Sequence, residues 1–322
     1  MLSTRFTELV GCDVPIQQAP MGLISPSGLA LAVARAGGVG TVSAPLGVQP
    51  QELAAQLDSW MDAGAGALAV NFITEQIDPE AVAVAGARAR MVDFFWSAPH
   101  AKLVDAAHEG GALVNWQVGS LPDAVLAAEA GADVVTVQGR EAGGHVRGDT
   151  PLLPLLTAVL RAVDVPVLAA GGIAEPRALA AVLAAGAAGA RIGTRFIATS
   201  ESGAHPEYVL ALLAAGPEGT EITDGFADCP MCATLPRARV LRSAIAAVAA
   251  VEGDVVGTLP SGDGEQPIPP RAGLPPHKQV NGRIDAMALY AGSGVEHVTA
   301  VRPAAEVVRE LAEGAEALLR AW

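Results

Sequence analysis

The sequence predicts an α/β protein folded as a closed (β/α)8 TIM barrel. Short apolar runs alternate with Ala- and Leu-rich segments of helical length, and about eight such pairs fit within roughly 195 residues. The runs are apolar on both faces, as expected of parallel strands that helices cover on both sides. An open doubly wound sheet is the competing topology. The barrel is favoured because no G-x-G-x-x-G run follows the first strand.

The predicted strands and helices alternate from residue 15 onward. The strands are Pro15–Ala19, Val39–Val42, Leu68–Asn71, Met91–Phe94, Ala112–Gln117, Val134–Gln138, Val167–Ala170 and Ala190–Ile192. The helices between them are Ser27–Ala36, Gln51–Ala63, Pro79–Ala89, Pro99–Glu109, Leu121–Ala130, Pro151–Arg161 and Pro176–Ala185. Proline is tolerated at a helix start because the first N–H groups have no intrahelical acceptor. Glycines end three of the helices: Gly37, Gly131 and Gly186.

The alternation stops after about residue 199, which indicates a second unit. We expect residues 206–290 to form a smaller, mainly helical cap over the barrel mouth, with helices Glu207–Ala215 and Arg239–Val251. The Pro- and Gly-rich segment Gly257–Gly282 is predicted to be a loop or strap. Residues 1–205 and 291–322 are assigned to the barrel, which the amphipathic helix Pro303–Ala321 completes.

Composition narrows the classes of partner. Hydrophobic residues make up 51% of the 322 residues and charged residues 17%, enough to bury a large core. A net charge of −14 disfavours nucleic acid and anionic membrane surfaces. The longest uncharged stretch, Val14–Ala34, contains three prolines, so we expect no membrane span. Three cysteines cannot form a disulfide framework, which predicts a reducing, cytoplasmic location and leaves Cys229 and Cys232 as packing residues. The oligomeric state stays open.

Glycine pairs follow the last two predicted strands. Gly171 and Gly172 come after the seventh strand, and Gly193 and Thr194 come after the eighth. Active sites of such barrels form at the carboxyl ends of the strands, and phosphate often binds at this position. Glycines let backbone N–H groups approach an anion, a helix that starts just afterwards adds its dipole, and a threonine hydroxyl adds a donor. These residues predict a phosphate site, although glycines also serve simply to permit tight turns.

A histidine follows the sixth predicted strand in the run from Glu141 to His145. A histidine on a glycine-rich loop at a barrel mouth can approach a ligand, and its ordinary pKa suits proton transfer or hydrogen bonding to a developing anion. A loop histidine without chemistry is the alternative. Two intervening glycines argue against a helical metal pair of Glu141 and His145, so we expect no metal site.

Together these motifs resemble the nitronate monooxygenase family, formerly called 2-nitropropane dioxygenases, which are flavin enzymes built on a (β/α)8 barrel. The run from Gln138 to His145 is the most informative part, and the resemblance spans nearly the whole chain. The other matching stretches are Ala19 to Met21, Gly37 to Gly40, Asn71-Phe72, Val165 to Ile173, Gly193 to Phe196, Ala198 to Ser202 with His205, and Ala288 to Gly292.

The resemblance implies a cofactor, a reaction and a set of roles. FMN is expected across the barrel mouth, with a small-molecule substrate and O2 as reactants. An alkyl nitronate would be oxidised to a carbonyl compound and nitrite, with His145 as base toward a neutral nitroalkane or as hydrogen-bond donor to the nitronate. Tyr290 would close the substrate pocket. The residues implied to bind the cofactor are Gly171, Gly172, Gly193 and Thr194 at the phosphate, Met21, Asn71 and Gln138 at the ring or ribityl chain, and Gly144 in the loop beside it.

Other functions remain open at this point. One is a flavin-barrel reductase that uses NAD(P)H, either an enoyl-acyl-carrier-protein reductase or a quinone reductase. Another is a flavin-binding protein without turnover, and a third is a flavin-free barrel that acts on phosphosugars. The chain departs from the family after His145, where relatives often have a glycine sooner. We expect Arg147 to point to solvent rather than toward an anionic substrate, and Trp96 to lie in the core or at the rim.

Overall fold

Eight parallel strands close into a barrel. The computed structural model describes residues 2–61, 66–73, 77–228, 234–262 and 264–321. The barrel strands, in order around the barrel, are β1 (Ile16–Gln18), β2 (Val39–Ala44), β3 (Ala67–Phe72), β4 (Met91–Phe94), β5 (Leu113–Val118), β6 (Val134–Gln138), β8 (Val167–Ala170) and β9 (Gly189–Ile192). Pairing of Gln17 in β1 with Arg191 in β9 closes the ring. The predicted barrel is confirmed, and each predicted strand overlaps an observed one.

Helices surround the barrel. They are α2 (Ser27–Arg35), α3 (Pro50–Met61), α4 (Pro79–Gly86), α5 (Ala101–Gly110), α6 (Leu121–Glu129), α7 (Leu152–Val159), α8 (Pro176–Ala184), the single turn α9 (Thr194–Ile197) and α12 (Ala304–Arg320). The helix α12 buries an apolar face that includes Val307, Val308 and Leu311, and it packs between α8 and α2. Among the described residues, no helix combines the length and apolar character needed to cross a membrane.

A short helix that the sequence analysis did not anticipate covers the amino end of the barrel. This helix, α1 (Arg5–Val10), begins at Thr4, whose hydroxyl accepts a hydrogen bond from the Thr7 N–H. Its Phe6 and Val10 are buried against the first residues of several barrel strands, among them Val39, Met91 and Val134. Apolar side chains therefore fill this end of the barrel, and the cavity described below lies at the opposite, carboxyl end.

The segment 206–290 is not mainly helical, contrary to the sequence analysis. Its helices are α10 (Pro206–Leu213) and α11 (Arg242–Ala249), and its strands are β10 (Thr220–Thr223), β11 (Ala238–Leu241), β12 (Gly257–Ser261), β13 (Gly264–Ile268) and β14 (Asn281–Gly282). Residues 239–241, predicted as helix, are extended instead because β11 pairs with β10 on one side and with β7 (Gly144–His145) on the other. The division into a barrel and a separate cap stays a prediction.

The Pro-rich segment contains a hairpin as well as the expected strap. Strands β12 and β13 pair from Gly257–Ile268 through Ser261–Gly264, with Gly262 in the turn at a φ of 56°. Pro267 lies in the edge strand β13, and Pro260 lies in the part of the central strand β12 that pairs with β13 alone, so a missing N–H breaks few hydrogen bonds at either position. Residues 269–280 contain no helix or strand, in agreement with the predicted strap. Cys229 and Cys232 lie outside the described residues.

Candidate active site

A cavity of about 270 Å³ lies at the carboxyl ends of the barrel strands, where the strap and Tyr290 cover it. Its walls bring together every residue that the sequence analysis placed in the site, although their roles stay predictions. These residues are Met21, Asn71, Gln138, Gly144, His145, Gly171, Gly172, Gly193, Thr194 and Tyr290. The position agrees with the rule that barrel active sites form from the loops after the strands.

Backbone conformation explains the glycine pair after β8. Gly171 and Gly172 have φ values of 119° and 70°, a region that residues with a side chain rarely adopt. A Cβ on Gly171 would also lie 2.9 Å from the amide nitrogen of Ala142. The tight-turn explanation therefore holds for these two glycines. It does not exclude a phosphate site, since the same turns bring backbone amides to the cavity wall.

Several hydrogen-bond donors in this wall have no protein acceptor. In the described parts of the chain, the N–H groups of Gly172, Gly193 and Thr194 take part in no hydrogen bond within the protein. The Thr194 hydroxyl oxygen accepts from the Gly292 N–H at 2.9 Å, which leaves the hydroxyl proton available for donation. The helix after Gly193 is only the single turn α9, so these individual donors, rather than a long helix dipole, suit an anion such as phosphate.

His145 lies between two aromatic rings. Its backbone belongs to β7, which pairs with Ala238 in β11. The imidazole contacts Trp96 edge-on at 4.9 Å between ring centroids and Tyr290 at 5.6 Å. Burial lowers the pKa of His145 to about 4. The imidazole is therefore neutral near pH 7, and it can accept a proton or donate its single N–H.

Gln138 fastens the loop that carries His145. Its Nε2 donates to the His145 carbonyl at 2.9 Å, and its Oε1 accepts from the Arg147 N–H at 2.9 Å. Both ends of the amide are thus bonded to the backbone on either side of Val146. Gln138 lines the cavity as the resemblance implied, and the structure adds this second task of holding the histidine loop in place.

The expectation that Arg147 points to solvent is wrong. Its side chain is 16% exposed, its Nη1 donates to the backbone carbonyls of Phe95 and Trp96, and its Nε lies 3.6 Å from the Asp123 carboxylate. Backbone carbonyls at the start of the loop after β4 therefore bind the guanidinium in place of water. Because Trp96 contacts His145, Arg147 supports the histidine from behind without lining the cavity itself.

Tyr290 forms hydrogen bonds at the cavity mouth to the strap and to helix α10. Its hydroxyl donates to the Gly273 carbonyl at 3.0 Å, and its own carbonyl accepts from the Tyr208 hydroxyl. Burial raises the pKa of the Tyr290 hydroxyl, so the proton stays on the oxygen. Because the hydroxyl proton is donated to Gly273, the part of Tyr290 that lines the cavity is chiefly its ring.

A buried ion pair lies beneath the cavity. Nη2 of Arg191 is 2.5 Å from Oδ1 of Asp93, and both side chains are almost fully buried. Asp93 also accepts hydrogen bonds at 2.7 Å from Nε2 of Gln17 and from Nδ2 of Asn115. Arg191 lines the cavity together with Gln117, whose Oε1 accepts from Nη1 of Arg191 at 2.9 Å. A charged network therefore forms the floor of the site.

The comparison with protein families settles the affiliation of the chain. A sequence profile described as nitronate monooxygenase matches residues 63–314, well over half of the chain. The chain belongs to the nitronate monooxygenase family. This match confirms the resemblance that the sequence motifs predicted. The family consists of oxidoreductases.

Two curated relatives of this family member have different names. A (3aS,4S,5R,7aS)-5-hydroxy-7a-methyl-1-oxo-octahydro-1H-indene-4-carboxyl-CoA dehydrogenase from Mycobacterium tuberculosis is 36% identical over 228 residues, which cover 69% of this chain and 63% of that protein. The chain thus spans less than two thirds of the length of this relative. The nitronate monooxygenase npaC from Metarhizium robertsii is 33% identical over 336 residues, covering 94% of this chain and 90% of that protein.

Two solved structures resemble the chain over nearly its whole length. Nitroalkane oxidase from Streptomyces ansochromogenes superposes with a TM-score of 0.77 at 27% identity and covers 99% of both chains. FabK from Thermotoga maritima has a TM-score of 0.77 at 25% identity, covering 100% of this chain and 98% of that chain. These similarities extend over the barrel and the segment 206–290 alike.

Two features of this family member escaped the sequence analysis. The Arg191–Asp93 pair was missed because both residues lie inside runs that were predicted as apolar strands, Ala190–Ile192 and Met91–Phe94. A charge in the middle of such a run is itself a signal, since a buried charge requires a partner. The tether between Thr194 and Gly292 gave no comparable signal, because the two residues are 98 positions apart.

Proposed function

We propose that this chain binds FMN across the cavity and oxidises alkyl nitronates. The observation that carries the proposal is the set of backbone N–H groups at Gly172, Gly193 and Thr194 that have no acceptor within the described protein, on the same cavity as a neutral His145. A phosphate group would supply acceptors to all three amides and to the Thr194 hydroxyl. These half-buried residues direct three N–H donors to one wall of the cavity, and such a cluster of backbone donors supports a bound anion there.

The remaining cavity residues fit the rest of the cofactor. FMN, when bound, supplies a two-electron acceptor for the substrate. Met21 and Asn71 line the wall on the side of β1 and β3, and they are the residues we assign to the ring or ribityl chain together with Gln138 and Gly144. Asn71 is held by a hydrogen bond from its Nδ2 to the Asp93 carbonyl at 3.2 Å. Its Oδ1 thereby faces away from that carbonyl.

The protein itself positions the substrate and handles its proton. His145 takes a proton from the α-carbon of a neutral nitroalkane or donates its N–H to an oxygen of the nitronate. Trp96 and Tyr290 hold the imidazole from two sides, and the strap excludes water. In the overall reaction two nitronate ions and one O2 give two carbonyl compounds and two nitrite ions, which accounts for every oxygen atom. We infer a cytoplasmic location from the cysteine content, which cell fractionation tests.

A second candidate is flavin-dependent hydride exchange with an acyl thioester. The observation that favours it is the 36% identity to the CoA-thioester dehydrogenase of Mycobacterium tuberculosis. Apolar side chains dominate the outer cavity wall and suit a hydrocarbon skeleton as well as a nitroalkane: Ile24, Ile73, Phe95, Trp96 and Ile173.

The experiment that tests the proposal is anaerobic reduction of the purified, FMN-loaded protein. Bleaching of the flavin absorbance by an alkyl nitronate, with little bleaching by NADH or NADPH, supports nitronate oxidation. Bleaching by NAD(P)H or by a hydroxyacyl-CoA, with none by the nitronate, replaces it with the second candidate. A yellow protein that no donor bleaches indicates flavin binding without turnover, and a protein that takes up no FMN overturns the proposal.

A His145→Gln variant completes this experiment. Glutamine keeps a polar side chain of similar reach but cannot act as a base, so we expect FMN to remain bound while oxidation of a neutral nitroalkane falls by about 10² to 10⁴-fold. Oxidation of a preformed nitronate, which needs no proton removal, is expected to fall by less. Full activity of this variant with the neutral nitroalkane would remove His145 from the mechanism.

A further inference from the structure

The amide of Gln117 has one defined orientation on the cavity floor. Arginine carries only donors, so the Gln117 atom that meets Nη1 of Arg191 at 2.9 Å is the oxygen Oε1. The two N–H groups on Nε2 are consequently turned away from Arg191. Because Gln117 lines the cavity, its amide offers donors rather than an acceptor there.

Arg191 is itself fixed from below. Asp93 holds its Nη2, and Oε1 of Gln17 accepts from its Nε at 3.1 Å. Gln17 in turn donates through Nε2 to Asp93 at 2.7 Å, so its amide can have only one orientation. Asn115 donates to both Asp93 and Gln17. Each of these donors thus meets an acceptor, and the ion pair at the centre of the network fixes the orientation of the amide groups around it.

The two charges of the ion pair lie at different distances from the cavity. Arg191 lines the cavity, whereas Asp93 has no exposed surface and lies deeper in the barrel. The pair therefore acts as a dipole with its positive end at the cavity floor. In a buried site, water screens such a dipole weakly, so a negative charge above the floor is stabilised.

We propose that Arg191 is a positioning residue that orients the Gln117 amide, so that the cavity floor presents N–H donors and positive charge to the flavin ring and favours its reduced state. This inference rests on the proposed FMN site. Reduction adds electrons to the ring system and makes its ring oxygens and nitrogens better acceptors. A floor made only of donors therefore binds the reduced ring more tightly than the oxidised ring, and charge near the ring is an established means of tuning flavins.

The test compares the affinity for oxidised and for dithionite-reduced FMN in three variants. Gln117→Leu removes the amide and keeps the ion pair, and the double variant Asp93→Asn with Arg191→Gln removes both charges without leaving one unpaired. Thr136→Val is the matched control. Thr136 donates to Asn115 within the same network at 2.9 Å, yet it does not line the cavity.

We expect the preference for reduced over oxidised FMN to fall at least tenfold in Gln117→Leu and in the double variant. For a two-electron couple this corresponds to a midpoint potential lower by about 30 mV or more. Thr136→Val is expected to stay within threefold of the unmodified protein. Simple loss of packing would weaken both oxidation states equally and leave this ratio unchanged, so the ratio separates the proposed role from a structural one.

Each outcome decides a different point. An unchanged ratio in Gln117→Leu overturns the inference, while FMN binding by the unmodified protein keeps the proposed function. A lowered ratio in Gln117→Leu with an unchanged ratio in the double variant shows that Gln117 acts without Arg191, which also overturns it. If the double variant does not fold, Gln117→Leu still decides whether the floor tunes the flavin. An unmodified protein that binds FMN in neither oxidation state overturns both proposals.

Discussion

The indole of Trp96 meets the imidazole of His145 edge-on, with ring centroids 4.9 Å apart and an angle of 80° between the ring planes. The ring of Tyr290 contacts the same imidazole with an angle of 87° between the ring planes. Two aromatic surfaces thus shield the ring from water. Such surroundings disfavour the charged imidazolium, and burial lowers the pKa of His145 to about 4 from an ordinary value of 6.5. Burial between Trp96 and Tyr290 therefore keeps this histidine neutral near pH 7.

The shifted pKa makes stability depend on pH in a defined direction. Between pH 6.5 and about 4, the unfolded chain binds a proton at position 145 and the folded chain does not, so acidification favours unfolding. We expect lowering the pH from 7.5 to 5 to destabilise the unmodified protein by about 1 to 2 kcal/mol more than it destabilises His145→Gln. Urea denaturation at a series of pH values measures this difference. The two curves should run parallel above pH 7.5, and parallel curves down to pH 4 would contradict the shift.

Substitution of Tyr290 separates its hydroxyl from its ring. In Tyr290→Phe the hydrogen bond to the Gly273 carbonyl is lost, so we expect a loss of about 1 kcal/mol in the free energy of unfolding. The KM for an alkyl nitronate should stay within about threefold, because the hydroxyl proton was already donated to Gly273. Tyr290→Leu also removes the ring beside His145 and should raise the KM for the nitronate more than Tyr290→Phe does. Urea denaturation and steady-state kinetics measure these effects, and a large rise in KM for Tyr290→Phe would show that the hydroxyl binds substrate.

Removal of Arg147 should loosen the loop that carries Trp96. The guanidinium bonds the carbonyls of Phe95 and Trp96 and lies beside Asp123, and hydrogen bonds to a charged group contribute about 1.5 to 3 kcal/mol. We expect Arg147→Ala to lower the free energy of unfolding by about 2 kcal/mol and to weaken the near-ultraviolet circular dichroism of the tryptophans. Arg147→Lys should recover only part of the loss, because lysine lacks the planar fork. A change below about 0.5 kcal/mol in Arg147→Ala would match a solvent-facing residue instead.

The sequence was informative where the physics is local. Apolar runs of strand length, prolines at helix starts and glycines at sharp turns depend on near neighbours, so all eight strands and the loops that carry Gly171, Gly193 and His145 were predicted. The surroundings of Arg147 were not, because its partners at Phe95 and Trp96 lie about fifty residues earlier in the chain. The extended state of residues 239–241 depends on pairing with residues 220–222 of β10 and, at Arg239, with Gly144 of β7, and helix propensity cannot anticipate such pairings.

Thr194 connects the candidate phosphate site to the segment before α12. Its hydroxyl oxygen accepts from the Gly292 N–H at 2.9 Å, and its hydroxyl proton is free to reach an anion. In Thr194→Val both interactions are lost. We expect the dissociation constant for FMN to rise about tenfold, equivalent to about 1.4 kcal/mol, and the free energy of unfolding to fall by about 1 to 3 kcal/mol because the Gly292 N–H is left without its acceptor.

The conservative variant Thr194→Ser distinguishes the hydroxyl from the methyl group at this position. Serine keeps the acceptor for Gly292 and the donor for an anion, so its affinity for FMN should stay within about threefold of the unmodified protein. Equilibrium dialysis of FMN and urea denaturation of the apoprotein measure the two effects separately. If Thr194→Val loses stability while its affinity for FMN is unchanged, the hydroxyl serves only to tether Gly292, and the phosphate must be held by the backbone amides of residues 172, 193 and 194. Weakening of FMN binding in Thr194→Ser, with none in Thr194→Val, would instead assign the effect to the methyl group, which valine keeps and serine lacks.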